Sequence, residues 1–210
     1  MTGNFKVQDL TNEQVSSKTQ TRGRLVLLLI VAFFALPLLL VMLMHHFDWH
    51  PGGSSNGEMI APARKLDIHS VLLDVSGQKL SPDIWQDKWS MIFVADQCDK
   101  RCEESLHNMR QIHVSMAKDS DRVQRIFISA EQGFESLHEQ YPEMLIINKP
   151  RDEVEMLAKQ FDLSGQPAVG GQRIYLVDPL GNLMMSYRPD VPAADIRKDL
   201  VKLLKYSWAG

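Results

Sequence analysis

The stretch 91–104, MIFVADQCDKRCEE, contains the only two cysteines of the 210-residue chain, Cys98 and Cys102. The apolar run Met91–Ala95 predicts a buried strand, and the residues after it predict a short loop followed by a helix. A helix N-terminus has unpaired N–H groups and the positive end of a dipole, which favour the thiolate form of nearby cysteines. The stretch therefore predicts a reactive thiol pair at a strand-to-helix junction.

Two other interpretations of the pair remain open at this point. Cysteines four positions apart can form a small structural disulfide, or they can be ordinary buried residues. A disulfide that closes so short a loop removes little entropy from the unfolded chain, which argues against a mainly stabilising role. Such spacing can bring the two Cα atoms within the roughly 4.4–6.8 Å that a disulfide needs, so a reversible disulfide is expected.

The stretch Leu25–Met44, LVLLLIVAFFALPLLLVMLM, has no charged residue. At about 1.5 Å per residue, a helix of this length spans about 30 Å, the thickness of a bilayer core. Pro37 lies inside the stretch, and a membrane span tolerates a proline because neighbouring groups can satisfy the freed carbonyl. The sequence predicts one transmembrane helix, with the lipid bilayer as its partner.

The charges on either side of this helix predict its orientation. Lys18, Arg22 and Arg24 precede the apolar stretch, and no lysine or arginine follows it until Arg64. Since basic residues favour the cytoplasmic side, we expect residues 1–24 in the cytoplasm and the rest of the chain across the membrane.

A retained anchor in a bacterial inner membrane fits the sequence better than a cleaved leader. A signal peptide has a shorter apolar region and a small-residue cleavage site close behind it, whereas the nearest such pattern, residues 61–63, lies far downstream. A transit peptide would be poor in acidic residues, but Asp9 and Glu13 lie in the first 24 residues. The domain after the anchor is therefore predicted to be periplasmic, where disulfides can form.

Composition divides the remaining chain into a linker at 45–65, in which Gly52, Gly53 and Ser54 favour flexibility, and one domain at 66–210. The formal net charge of −3 does not indicate a nucleic-acid surface. Apolar periodicity in the domain predicts alternating strands and helices: a hairpin within 66–79, strands at 89–95, 122–130, 144–147, 173–179 and 182–187, and helices at 103–118, 133–140, 151–161 and after Pro192. This order predicts an α/β fold of the thioredoxin-like type.

Several segments of the domain resemble the Sco/SenC family. They are DVSGQKL at 74–80, QDKW at 86–89, the cysteine pair, VQRIFIS at 123–129 and IYLVDPLG at 174–181. The resemblance covers about residues 66–206 and extends to the membrane anchor. It implies a thioredoxin-like, membrane-anchored protein that helps to assemble the copper centres of cytochrome c oxidase, with an oxidase subunit or other assembly factors as partners.

The chain departs from this family at two positions. Glu103 follows the second cysteine where the family usually has a proline, and Gly170 stands five residues before Tyr175, where the family has its copper-binding histidine. The resemblance therefore implies copper as a ligand but leaves only Cys98 and Cys102 to hold it. Two thiolates suit Cu(I), whereas binding of Cu(II) should be weak without the imidazole.

Other residues that could bind copper have simpler interpretations. His107 and His113 lie on the predicted helix at spacings that do not bring them beside both sulfurs. The cluster of His45, His46 and His50 is explained equally by the polar membrane interface. The methionines at 109, 116, 184 and 185 are expected in the core. Pro167 precedes a strand near the place where thioredoxin-like folds keep a cis-proline, and a proline in an ordinary surface loop is the alternative.

Three functions of different classes follow from these observations. The first is an assembly factor that relays thiol–disulfide exchange to the copper-site cysteines of the oxidase, with Cys98 and Cys102 as its reactive residues. The second is a general extracytoplasmic thiol–disulfide oxidoreductase or peroxidase-like enzyme. The third is a scaffold in which the cysteines form only a disulfide. The spacing of four differs from the CxxC of broad-range oxidoreductases, which favours the first.

Overall fold

The computed structural model describes residues 5–47, 55–68 and 71–206, and it divides the chain into two units, residues 1–54 and 55–210. The first unit contains helix α1, Phe5–His46. Within it, Arg24–Met44 is long and apolar enough to cross a membrane. The predicted helix at 25–44 is confirmed as a candidate membrane anchor, with Pro37 inside it.

The second unit is a seven-stranded sheet with helices on both faces. Its strands are β1 (Glu58–Lys65), β2 (Leu73–Asp74), β3 (Trp89–Val94), β4 (Val123–Ile128), β5 (Leu145–Lys149), β6 (Ile174–Val177) and β7 (Asn182–Tyr187). Its helices are α2 (Lys100–Ser115), α3 (Glu135–Gln140), α4 (Arg151–Lys159) and α5 (Ala193–Tyr206), with a 3-10 helix at Ala117–Arg122. The mixed α/β fold that the sequence predicts is confirmed.

The central strands determine where the cysteines lie. The strand order is β1-β7-β6-β3-β4-β5-β2, in which β3, β4 and β5 are parallel to each other and β6 is antiparallel to β3. All six residues of β3 are buried. We call the edge of the sheet where β3, β4 and β5 end the carboxyl edge, and the cysteine loop begins there.

Two apolar clusters hold the helices against the sheet. One joins α2, α3 and α5 to one face, with Leu106, Leu137 and Leu200 among its buried residues. The other joins α4 to the opposite face through Val154 and Leu157. The two clusters bury both faces of β3, so its carboxyl end is held rigidly in the sheet.

The structure extends the folded unit into the segment predicted as linker. Strand β1 lies within 45–65 and pairs antiparallel with β7, with a large irregularity between Met59 and Arg64. Most of its side chains are exposed, so no alternation of apolar residues marks it in the sequence. The predicted hairpin within 66–79 is also shorter than expected, with β2 limited to two residues and a single bridge between Leu73 and Lys79.

Candidate functional site

Cys98 and Cys102 form a disulfide at the carboxyl edge of the sheet. Their Cα atoms are 5.0 Å apart, within the range expected from the sequence. Cys98 is half-buried, whereas Cys102 is only 1% exposed and belongs to the apolar cluster under α2. Cys98 is therefore the more exposed residue of the pair, and Cys102 is shielded by the core.

Asp99 determines where α2 begins. Its carboxylate Oδ1 accepts a hydrogen bond from the backbone N–H of Cys102 at 2.9 Å, and its carbonyl accepts one from the N–H of Glu103 at 3.0 Å. This is the N-cap arrangement that aspartate favours. The helix thus starts at Lys100, three residues before the predicted Glu103, and Cys102 lies in its first turn.

Glu103 also has a clear local role at the position where the family has proline. Its N–H makes the first hydrogen bond of α2 to the Asp99 carbonyl. A proline has no N–H and could not make this bond.

The loop 166–173 lies beside the cysteine loop. Nε2 of Gln172 is 3.4 Å from Oδ2 of Asp99, a long hydrogen bond that joins the two loops. Gly170 has φ of 83° and Gln172 has φ of 50°, both in the left-handed region. Of the described prolines, Pro62 and Pro150 follow cis peptide bonds and Pro167 does not, so the surface-loop interpretation of Pro167 holds.

The described residues do not form the three-ligand copper site that the family resemblance implies. They include no group of three histidine, cysteine, aspartate or glutamate residues arranged to hold a metal. Gly170 has no side chain to donate, and the two sulfurs are bonded to each other. The donor set of two cysteines and one histidine is therefore not available.

The other candidate ligands lie where the sequence placed them. His107 is exposed and bonds to Gln111, and Nε2 of His113 lies 3.0 Å from the carbonyl oxygen of Val123. His46 is exposed, whereas the side chain of His45 and the whole of His50 lie outside the described residues. The methionines at 109, 116 and 185 are buried, and Met184 packs against the same cluster.

A polar group that the sequence analysis missed lies at the carboxyl edge. Asp96 follows β3, and its partial burial, together with the charge of Glu131, raises the pKa of its carboxyl group. Arg151 opposes this effect and pairs with Glu131 at 3.0 Å. Polar residues directly after buried strands are the signal that could have indicated this group.

A groove of about 490 Å³ lies along the first turns of α2, next to the cysteine loop. Its lining is polar and charged: Lys100, Glu103, Glu104, His107, Asn108, Gln140 and Tyr141. The last two residues come from the end of α3, which is distant in sequence, so local patterns could not predict the groove.

The model of a protein family described as a transmembrane-like, thioredoxin-like, C-terminal domain matches residues 89–207, more than half of the chain. A search of curated proteins finds no relative by sequence.

Solved structures of Sco proteins have the same fold. Yeast Sco1 with copper bound is 19% identical with a TM-score of 0.55, covering 74% of this chain and 96% of its own. Apo Sco1 from Thermus thermophilus is 20% identical with a TM-score of 0.57, covering 73% and 99%. BsSco, described as a Sco family member with a disulfide switch, is 16% identical with a TM-score of 0.52, covering 70% and 99%. The predicted resemblance to Sco proteins is confirmed at the level of the fold.

Proposed function

Because the chain belongs to the family of transmembrane-like, thioredoxin-like C-terminal domains, we propose that it is a membrane-anchored thiol–disulfide relay protein for assembly of the cytochrome c oxidase copper site. The observation that carries this proposal is the asymmetry of the cysteine pair. Cys98 is half-buried and Cys102 is 1% exposed, and both lie at the start of α2. An accessible sulfur beside a shielded one suits a two-step exchange.

In the first step, the thiolate of Cys98 attacks one sulfur of a disulfide in the partner. A mixed disulfide forms, the partner's bond breaks, and one partner sulfur leaves as a thiolate that takes up a proton. In the second step, Cys102 loses its proton and attacks the Cys98 sulfur. The Cys98–Cys102 disulfide forms, the second partner thiol is released, and two electrons have passed to the partner. An external dithiol donor then reduces the pair again.

Copper is proposed only as a secondary ligand of the reduced cysteine pair. Yeast Sco1 has been solved with copper bound, and BsSco is described as a member of a family of cytochrome c oxidase assembly proteins. In this chain the third ligand position is Gly170, so the reduced pair offers two thiolates and no imidazole. Two thiolates can hold Cu(I), which prefers soft ligands, but this donor set favours exchange over transport of copper.

A general extracytoplasmic thiol–disulfide oxidoreductase is the second candidate. The absence of a three-ligand site among the described residues favours it, because nothing in that part of the chain restricts the cysteines to a copper protein. The groove beside α2 is open and lined by side chains of both charges, so it does not by itself indicate one partner.

A disulfide trap distinguishes the candidates. Cys102→Ser in the full-length protein leaves Cys98 unable to complete the second step, so mixed disulfides with the partner should accumulate in membranes. We expect an oxidase subunit that carries the copper-site cysteines to be the main trapped protein. Cys98→Ser is the matched control and should trap little, because Cys102 is shielded. Trapping of many unrelated proteins would support the general oxidoreductase, and no trapping would support the scaffold.

The proposed location is a bacterial inner membrane, with residues 1–24 in the cytoplasm and the thioredoxin-like domain in the periplasm. The basic residues before the apolar stretch support this orientation. A reporter that is active only outside the cytoplasm, fused after Gly210, should be active. Activity of a cytoplasm-only reporter at the same position would contradict the orientation and the oxidising compartment.

A further inference from the structure

Helix α5 presents a basic face to solvent. Its opposite side carries Ile196, Leu200 and Leu204, which are buried in the apolar cluster against the sheet. The exposed residues from position 197 onward recur every fourth residue in two adjacent rows, so they form one continuous stripe along the helix. This stripe, which we call the basic face, consists of Arg197, Lys198, Val201, Lys202, Lys205 and Tyr206. Four of its residues are basic, although the whole chain carries a net charge of −3.

The acidic residues of α5 leave most of this positive charge in place. Oδ1 of Asp195 lies 2.8 Å from Nζ of Lys198, so one lysine of the basic face is paired. The carboxylate of Asp199 is buried and accepts its hydrogen bonds inside the domain. Arg197 donates to the hydroxyl and the carbonyl of Ser115, which are neutral groups and do not cancel its charge.

The 3-10 helix beside the end of α5 does not neutralise the basic face either. Its Arg122 donates to the carbonyl oxygen of Leu204 at 3.3 Å, so the two helices are in contact. This short helix carries Lys118, Asp119, Asp121 and Arg122, two residues of each sign. The positive charge of α5 is therefore not balanced by its neighbour.

The basic face also includes residues that suit a membrane interface. Val201 is 41% exposed and Tyr206 is 74% exposed, and Nζ of Lys205 lies 5.7 Å from the centre of the Tyr206 ring. In the sequence, Trp208 follows two residues later. Tyrosine and tryptophan are enriched at the level of the lipid headgroups, and a helix with clustered basic residues attracts anionic lipids.

The chain that arrives from the candidate membrane anchor is attached to this same helix. The N–H groups of Asn56 and Gly57 donate to Oδ2 of Asp199 at 2.7 and 3.2 Å. Eleven residues separate Asn56 from Met44, the last residue of the apolar stretch. Since an extended chain covers at most about 3.6 Å per residue, this tether is shorter than about 45 Å. A short tether gives α5 a high effective concentration at the bilayer surface.

We propose that the basic face of α5 binds anionic headgroups of the bilayer that the anchor crosses, so that the thioredoxin-like domain is held on the membrane surface. The basic residues supply the attraction, and Val201 and Tyr206 supply apolar contact at the headgroup level. The inference rests on the membrane anchor and not on the chemistry of the cysteines. A domain held in this way meets other membrane proteins in fewer orientations and at a higher local concentration.

The test measures how fast a water-soluble amine reagent acylates each lysine of the full-length protein in lipid nanodiscs, with mass spectrometry as the readout. The discs contain phosphatidylcholine alone or phosphatidylcholine with anionic phosphatidylglycerol. Acylation of Lys198, Lys202 and Lys205 should be severalfold slower in the anionic discs, because headgroups cover these lysines. Lys159, at the end of α4 on the opposite face of the sheet, is the internal control and should react equally in both. High salt should remove the protection, since it screens surface charges.

Two double variants with the same change in charge separate the basic face from the net charge of the protein. Lys202→Gln with Lys205→Gln should lower the ratio of surface-bound to free domain by more than about tenfold, because each basic residue near an anionic surface contributes about fivefold. Acylation of Lys198 in the anionic discs should then return to its rate in the neutral discs. Lys79→Gln with Lys159→Gln removes two exposed charges elsewhere and should leave Lys198 protected.

Equal acylation of Lys198, Lys202 and Lys205 in neutral and anionic discs would overturn the proposal, and so would equal effects of the two double variants. Protection of these lysines in native membranes but not in anionic discs would also overturn it, because a protein partner would then cover the basic face. The disulfide trap does not depend on these lysines, so failure of this inference and failure of the proposed thiol relay are distinguishable.

Discussion

Gly170 is the residue where this chain departs most from the copper-binding pattern that the family resemblance implies. A Cβ built at this position meets no atom within 4 Å, so there is room for a larger side chain. Its φ of 83° is the obstacle, since a residue with a Cβ pays about 1–2 kcal/mol in the left-handed region. The neighbouring contact between Gln172 and Asp99 places this loop beside the cysteines.

Gly170→His should therefore give the reduced protein a Cu(II) affinity that the wild type lacks, because the imidazole joins two thiolates. Titration of the full-length protein in detergent with each copper ion measures this. Gly77→His is a matched control, since Gly77 has the same φ of 83° and the same free space but lies in the turn after β2, away from the cysteines. Tight Cu(II) binding by the wild type would contradict the account of the missing ligand.

At the scale of single residues, the sequence could predict the reactive pair and the missing histidine, because both depend on short motifs. It could not predict the contact between Asp99 and Gln172. These residues are 73 positions apart, and only the sheet topology brings their loops together. The accessibility difference between Cys98 and Cys102 also depends on where α2 begins.

Among the elements, the segment that leads into β1 is bonded to one buried carboxylate. Asp199 on α5 is 4% exposed and accepts hydrogen bonds from the N–H of Asn56 at 2.7 Å, the N–H of Gly57 at 3.2 Å and the hydroxyl of Tyr187 at 3.3 Å. A Cβ at Gly57 would lie 2.6 Å from the Tyr187 ring, so only glycine fits there without a shift.

Asp199→Ala should lower the free energy of unfolding by about 3 kcal/mol, since several buried donors lose their acceptor. Chemical unfolding followed by tryptophan fluorescence measures this. Asp195→Ala on the same helix removes a partly exposed pair with Lys198 and should cost less than about 1 kcal/mol. Equal losses in the two variants would show that Asp199 does not hold the start of the domain.

Strand β6 provides a prediction about alkaline pH. Burial raises the pKa of Tyr175 to about 12 from its ordinary value of 10.0. The unfolded chain releases this proton first, so the stabilisation is complete below pH 10 and is lost as the pH rises to 12. The loss should be about 3 kcal/mol. Tyr175→Phe has no such proton, so the difference in the free energy of unfolding between the wild type and this variant should change between pH 10 and pH 12. A difference that stays constant over this interval would contradict the raised pKa of Tyr175.

Most helices and strands could be predicted from the sequence because their apolar periodicity is strong. Strand β1 was missed because it is an exposed edge strand that follows a glycine- and serine-rich segment. The start of α2 was placed too late because the cap at Asp99 outweighs the weak helical pattern of the basic residues after it.

For the whole molecule, alternation of elements predicts the thioredoxin-like class, but the strand order depends on contacts distant in sequence. Phe93 pairs with Ile174, and Ile174 pairs with Tyr187, so Tyr187 lies at the carboxyl edge with the disulfide. The segment that enters the domain at Asn56 is thus fixed on the same edge of the sheet as the cysteines.

We expect Cys98 and Cys102 to exchange between disulfide and dithiol while the domain stays folded. The most direct measurement equilibrates the full-length protein in detergent with a series of glutathione or dithiothreitol redox buffers. Thiol trapping and mass spectrometry then give the oxidised fraction, and tryptophan fluorescence reports the fold. We expect one two-electron transition at a defined potential, with both thiols trapped and the fluorescence of the folded domain unchanged. A pair that stays oxidised until the domain unfolds would contradict it.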